Sequence, residues 1–62
     1  MQVEVQWNGQ SGWQPQMVVI NALEGRDVIN TWRSHGNTLP MRVVNYVCGI
    51  PVIEYMDEFP CQ

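Results

Sequence analysis

Lysine is missing from this 62-residue chain, and Arg26, Arg33 and Arg42 are its only strong cations. Affinity for a phosphate backbone comes largely from cations that release counterions, and three arginines against a net charge of −3 supply little of it. Bases could still stack on Trp7, Trp13 or Tyr46. No basic stripe accompanies those aromatics, so nucleic acid ranks last among the partners considered.

The chain is equally poor in the groups that chemistry needs. His35 is its only histidine, Cys48 and Cys61 are its only cysteines, and no C-x-x-C pair is present. No metal or cofactor is expected, since a zinc site would require distant groups to converge. Ser34 and His35 are adjacent, but neighbours near a helix end point about 100° apart. Gly9-Gln10-Ser11-Gly12 lacks the G-x-S-x-G spacing of a nucleophile elbow, and no glycine-rich phosphate loop occurs. His35 reads as a helix-end histidine near terminal carbonyls. Glu54, Asp57 and Glu58 read as a solvated acidic edge that discourages aggregation. A domain this small also has difficulty enclosing a substrate pocket, typically about 300–1,000 Å³. The expectation is a protein without catalytic activity.

Long apolar runs are absent too. Met17 to Ile20 is the longest obvious one, and Met1-Gln2-Val3-Glu4 lacks the basic start and apolar core of a signal peptide. A cytoplasmic setting follows as the default. There free thiols are favoured over a Cys48–Cys61 disulfide, which would be worth about 3 kcal/mol. Cys48 is then expected inside the protein and Cys61 on a tail.

What the chain does have is apolar mass: 45% hydrophobic residues, three tryptophans and only 15% charged residues. Each buried aromatic removes about 150–250 Å² from water. A chain of this length buries only about 60% of its unfolded surface, so folding alone and folding as a homodimer are both expected routes. Residues 1–62 form one domain, with 57–62 as a tail.

Gln2 to Trp7 alternates polar and apolar residues, the period of a half-buried strand with Val3, Val5 and Trp7 on one face. Asn8-Gly9 and Gly12 mark a hairpin whose loop is two or five residues long. Trp13 to Ile20 reads as the second strand, and Pro15 places it at a sheet edge. Asn21 and Glu24 form a capping box for a helix over 22–35. Ala22, Gly25, Val28, Ile29 and Trp32 make its inner stripe, with Leu23 off it. Gly25 costs about 1 kcal/mol of helix propensity, a cost expected to be offset by close approach of helix to sheet. Gly36-Asn37 ends the helix, and Pro40 follows. Met41 to Cys48 reads as a strand, and Val43, Val44, Tyr46 and Val47 suggest burial on both faces or a place near the sheet centre. Ile50 to Tyr55 reads as a last strand with Pro51 near its start. The predicted fold is α+β: strand-strand-helix-strand-strand, with one helix on one face of a small, mostly antiparallel sheet.

Function then becomes a question of surface. Trp7 and Trp13 flank the first turn, and tryptophan and arginine dominate interface hot spots. Trp7, Trp13, Arg42 and Tyr46 are the candidate protein-binding residues, with Trp7 also a candidate for the core. The leading expectation is a binding module that acts on another protein as inhibitor, adaptor or regulator. The alternative is a self-assembling subunit, a homodimer or ring joined through sheet edges. In element order and size the chain resembles small phage-encoded proteins that bind and inhibit host enzymes. That resemblance implies an inhibitor and assigns no residue.

Overall fold

The computed structural model describes residues 2–9 and 11–57. Strands β1 (Gln2–Gly9) and β2 (Gly12–Val19) precede helix α1 (Ala22–Ser34), and β3 (Met41–Val47) and β4 (Ile50–Asp57) follow it. All neighbours are antiparallel, in the order β2-β1-β3-β4. The predicted α+β architecture is the observed one.

Each hairpin has a two-residue loop and a bulged second strand. Gly9 pairs with Gly12 and Val47 with Ile50, while the register shifts between Val5 and Gln6 and between Val43 and Val44. Asn8 and Gly9, expected as the turn itself, are instead the last residues of β1, and the positive φ falls on Gly12. A two-residue loop makes its flanking residues a hydrogen-bonded pair, and antiparallel pairs alternate from there. By that count Pro15, opposite Gln6, and Pro51, opposite Tyr46, occupy non-hydrogen-bonded positions. Their nitrogens face outward from the two edge strands, where a missing N–H costs the ladder nothing.

Two sequence expectations need correction at β3 and β4. Cys48 is not an interior strand residue: it is the first residue of the β3–β4 turn, with φ of +53°, and it is exposed. Cys48 and Gly49 both have positive φ, the signature of the primed turn that matches strand twist. Cys61, its partner in the disulfide alternative, lies outside the described residues, as do Glu58 and the rest of the predicted tail. Asp57 is the last residue of β4 rather than tail. The Arg33 Nε donates to its Oδ2 at 3.1 Å, and Arg33 Nη2 donates to its carbonyl. This arginine also donates to the carbonyls of Asn37 and Leu39, so it ties the helix end and its exit loop to the end of β4.

The helix begins and ends on its predicted signals. Asn21 Oδ1 accepts from Glu24 N at 2.8 Å, while Glu24 Oε1 accepts from Ile20 N, one residue before the usual capping-box donor. At the other end Asn37 N donates to Trp32 O and Gly36 N to Arg33 O, with Gly36 at φ +93°. That pair of bonds is a Schellman motif, and its left-handed position suits glycine. His35 Nδ1 lies 2.8 Å from Thr31 O.

One face of the sheet lies under this helix. Val3, Val5, Val19, Met41 and Val43 meet Ile29, with Trp7, Ala22, Val28, Trp32 and Tyr55 packed around them. Gly25 sits directly on Val43: a Cβ there would lie 2.8 Å from Val43 Cγ2. Leu23, off the inner stripe, is 67% exposed. No helix among the described residues is long and apolar enough to cross a membrane.

Candidate functional site

The other sheet face has no helix on it, yet its centre is as dry as a core. Register places Glu4 and Gln6 of β1, Arg42, Val44 and Tyr46 of β3, and Trp13, Pro15 and Val18 of β2 on this open side. Pro51, Ile53 and Met56 of β4 complete it. Val43 and Val44 are both 0% exposed, one toward the helix and one toward this side. Burial on both faces holds at Val43 and Val44, where the cover on the open side is side chain rather than helix, but not at the end of β3, where Val47 is exposed.

A hydrogen-bonded network joins β1 and β3, and a cation–π contact carries it on to β2. Glu4 and Gln6 are 6% and 5% exposed. Gln6 Nε2 donates to Glu4 Oε2 at 2.6 Å and to the Tyr46 hydroxyl at 3.0 Å, and that hydroxyl donates to Glu4 Oε2 at 3.3 Å. Gln2 Nε2 donates to the other carboxylate oxygen. Gln6 Oε1 accepts from Arg42 Nε at 2.8 Å. Only one amide orientation satisfies both neighbours, because an arginine can only donate and a carboxylate only accept. Arg42 extends across β1, and its guanidinium carbon lies 4.2 Å from the centroid of the Trp13 ring on β2. Such a cation–π contact is worth about 0.5–2 kcal/mol, depending on desolvation.

Apolar residues frame this polar centre at both edges. Val18 is 64% exposed on the β2 side, and Ile53 and Met56 are 43% and 40% exposed on the β4 side. The face is therefore rigid in the middle and apolar at its border.

Of the sequence-derived candidates, Trp13, Arg42 and Tyr46 share this network. Trp7 does not: it lies on the helix-covered side, where its ring meets Trp32 edge-on at 5.1 Å. Asn8, not Trp7, is paired with Trp13, so the two tryptophans that flank the turn point to opposite faces. Glu4 and Gln6 are the members that sequence reasoning missed. Their alternation with Val3 and Val5 resembles a solvated strand face. The available clue was the double burial expected of Val43 and Val44, since a sheet centre dry on both sides needs cover from its neighbours.

Among the described residues no cavity is enclosed and no group of three His, Cys, Asp or Glu side chains converges. The fold and this face together define a small antiparallel α+β domain with an uncovered, internally braced sheet surface. The chain matches no protein-family model, no curated protein sequence and no solved structure.

Proposed function

We propose that this protein is a non-catalytic binding module that acts on another protein, as inhibitor, adaptor or regulator, and docks through the open face of its sheet. The observation that carries the reading is the braced Trp13–Arg42–Gln6 chain within an apolar frame. Interfaces of this kind concentrate energy in a few rigid aromatic and arginine anchors surrounded by contacts that exclude water. The rigid centre lowers the entropy lost when a partner lands.

The competing readings fit this surface less well. Arg42 already covers the Trp13 ring, and the Glu4 carboxylate sits at the centre, an unfavourable setting for stacked bases and phosphates. Edge-to-edge assembly would have to pair strands whose Pro15 and Pro51 nitrogens face the incoming chain.

Affinity capture with tagged protein, beside Trp13→Ala and Asn30→Ala, tests the proposal. Asn30 lies exposed on the helix, away from the open face. A protein retained by the parent and by Asn30→Ala, and lost with Trp13→Ala, supports docking through this face. Retention by all three chains overturns it.

A further inference from the structure

We infer that Arg42 anchors a single carboxylate of the docked protein, an Asp or Glu side chain set among apolar neighbours; this deepens the docking reading and rests on it.

The three arginines of the chain are used differently. Arg33 is committed to Asp57 and to carbonyls of the helix exit. Arg26 stacks on Tyr55, 4.7 Å from its centroid, on the exposed flank of the helix. Arg42 combines a stacked guanidinium with a hydrogen bond that fixes its plane. The brace extends further, because Gln6 is itself held by Glu4 and Tyr46. Only Nε is spent, and neither Nη of Arg42 has a partner among the described residues. A half-buried guanidinium with its plane set and its Nη fork unused suits the two oxygens of a carboxylate, which it can bind bidentately.

The chemistry of the surroundings selects the anion. A phosphate carries nearly two negative charges and is usually met by several cations. Here Arg26 and Arg33 lie on the helix side, and the Glu4 carboxylate lies one residue beyond Gln6 in the network. One guanidinium matches one carboxylate. The exposed side chains of Val18, Ile53 and Met56 call for apolar neighbours around it.

Among the described residues, a second copy of this chain is a poor source of that group. Glu4 is buried and already accepts three donors. Glu24 and Asp27 sit on the helix, Asp57 is bound to Arg33, and Glu54 accepts from Asn45 on the helix side of the sheet.

A displayed library of random dodecapeptides, selected on the intact protein, tests the inference. Retained peptides are expected to share one Asp or Glu among large apolar residues. Changing that acid to its amide should weaken binding about tenfold, and Arg42→Gln should weaken the parent peptide by a similar factor. The two changes together should cost no more than either alone, the sign of a direct pair. Arg42→Lys, which keeps the charge and the fold but not the fork, should restore only part of the loss; it also serves if Arg42→Gln unfolds in a urea titration. Peptides that need Trp13 but no acid overturn the carboxylate anchor and leave the docking face standing. Peptides indifferent to both Trp13→Ala and Arg42→Gln, or no retained peptide at all, overturn both.

Discussion

The two faces of this sheet are dried by different means. Under the helix, Val3, Val5, Met41 and Val43 pack on Ile29 by shape and apolar area alone. On the open side, Val44 is equally dry, but it lies between Ile53 and Glu4, beside an amide, a phenol and a guanidinium held by hydrogen bonds. Apolar packing is held by shape rather than by directional bonds, and its free energy grows with the area removed from water. A polar network contributes less net free energy but fixes geometry, because each partner left unpaired costs about 1–3 kcal/mol. The comparison assigns stability mainly to one face and a defined, displayable surface to the other.

Ile29→Ala should give the largest effect. Ile29 is fully buried, and removing most of its side chain costs about 2–5 kcal/mol. A chain of this length holds only about 3–9 kcal/mol in total, so the variant should lose roughly half its stability, read as a markedly lower urea midpoint by circular dichroism. A loss below about 1 kcal/mol would mean that the helix face is not the main source of stability.

Gly25→Ala sharpens the same point from the opposite direction. Alanine gains about 1 kcal/mol of helix propensity, but its Cβ would fall 2.8 Å from Val43 Cγ2. Val43 is β-branched and fully buried, so it cannot swing aside, and overpacking costs about 1–3 kcal/mol. A net loss of about 1 kcal/mol is expected in the urea midpoint, with partial recovery when Val43 is also changed to alanine. A stabilised Gly25→Ala would show that helix and sheet are loosely docked.

These two positions belong to the part of the fold that could be read from residues alone. Local signals carried it: the Asn21–Glu24 cap, the 22-25-28-29-32 stripe, and the Gly36-Asn37 stop. Each acts within a few residues and does not depend on strand pairing. The open face was harder to read because it depends on register. A turn at Asn8-Gly9 would pair Trp7 with Gln10, and a five-residue loop over 8–12 would pair Trp7 with Trp13 on one face; the observed pairing of Gly9 with Gly12 instead sets Asn8 opposite Trp13 and sends Trp7 to the other side. Cys48 escaped for a similar reason, since Asn or Gly is the usual resident of its positive-φ position. Glu4 and Gln6 look solvated until Tyr46 and Arg42, some forty residues later, are laid across them.

Gln6→Leu tests whether the polar network is more than decoration. It removes the amide that joins Glu4, Tyr46 and Arg42, and it leaves a buried carboxylate with fewer donors. A loss of about 1–3 kcal/mol is expected by urea titration. Gln2→Ala, which touches only the exposed end of the network, should lie within about 0.5 kcal/mol of the parent. Equal effects from the two would erase the distinction between a braced centre and an ordinary polar surface.

Trp13→Ala should have a small effect on folding and the most specific effect on the surface. The residue is half-exposed on an edge strand and outside the apolar core, so its loss should cost about 1 kcal/mol or less. What it removes is the platform under Arg42. The Gln6 bond can persist, but the guanidinium gains freedom to turn about it. Nitrogen-15 NMR of the arginine side chains would report this directly: faster solvent exchange at Arg42 Nε, unchanged signals for Arg33, and an unaltered urea midpoint. If Trp13→Ala instead lowers stability by 2 kcal/mol or more, the open face belongs to the folding core, and the division of labour between the two faces fails. If stability and Arg42 exchange are both unchanged, Gln6 alone sets the arginine, and Trp13 is a contact residue for the partner rather than part of the brace.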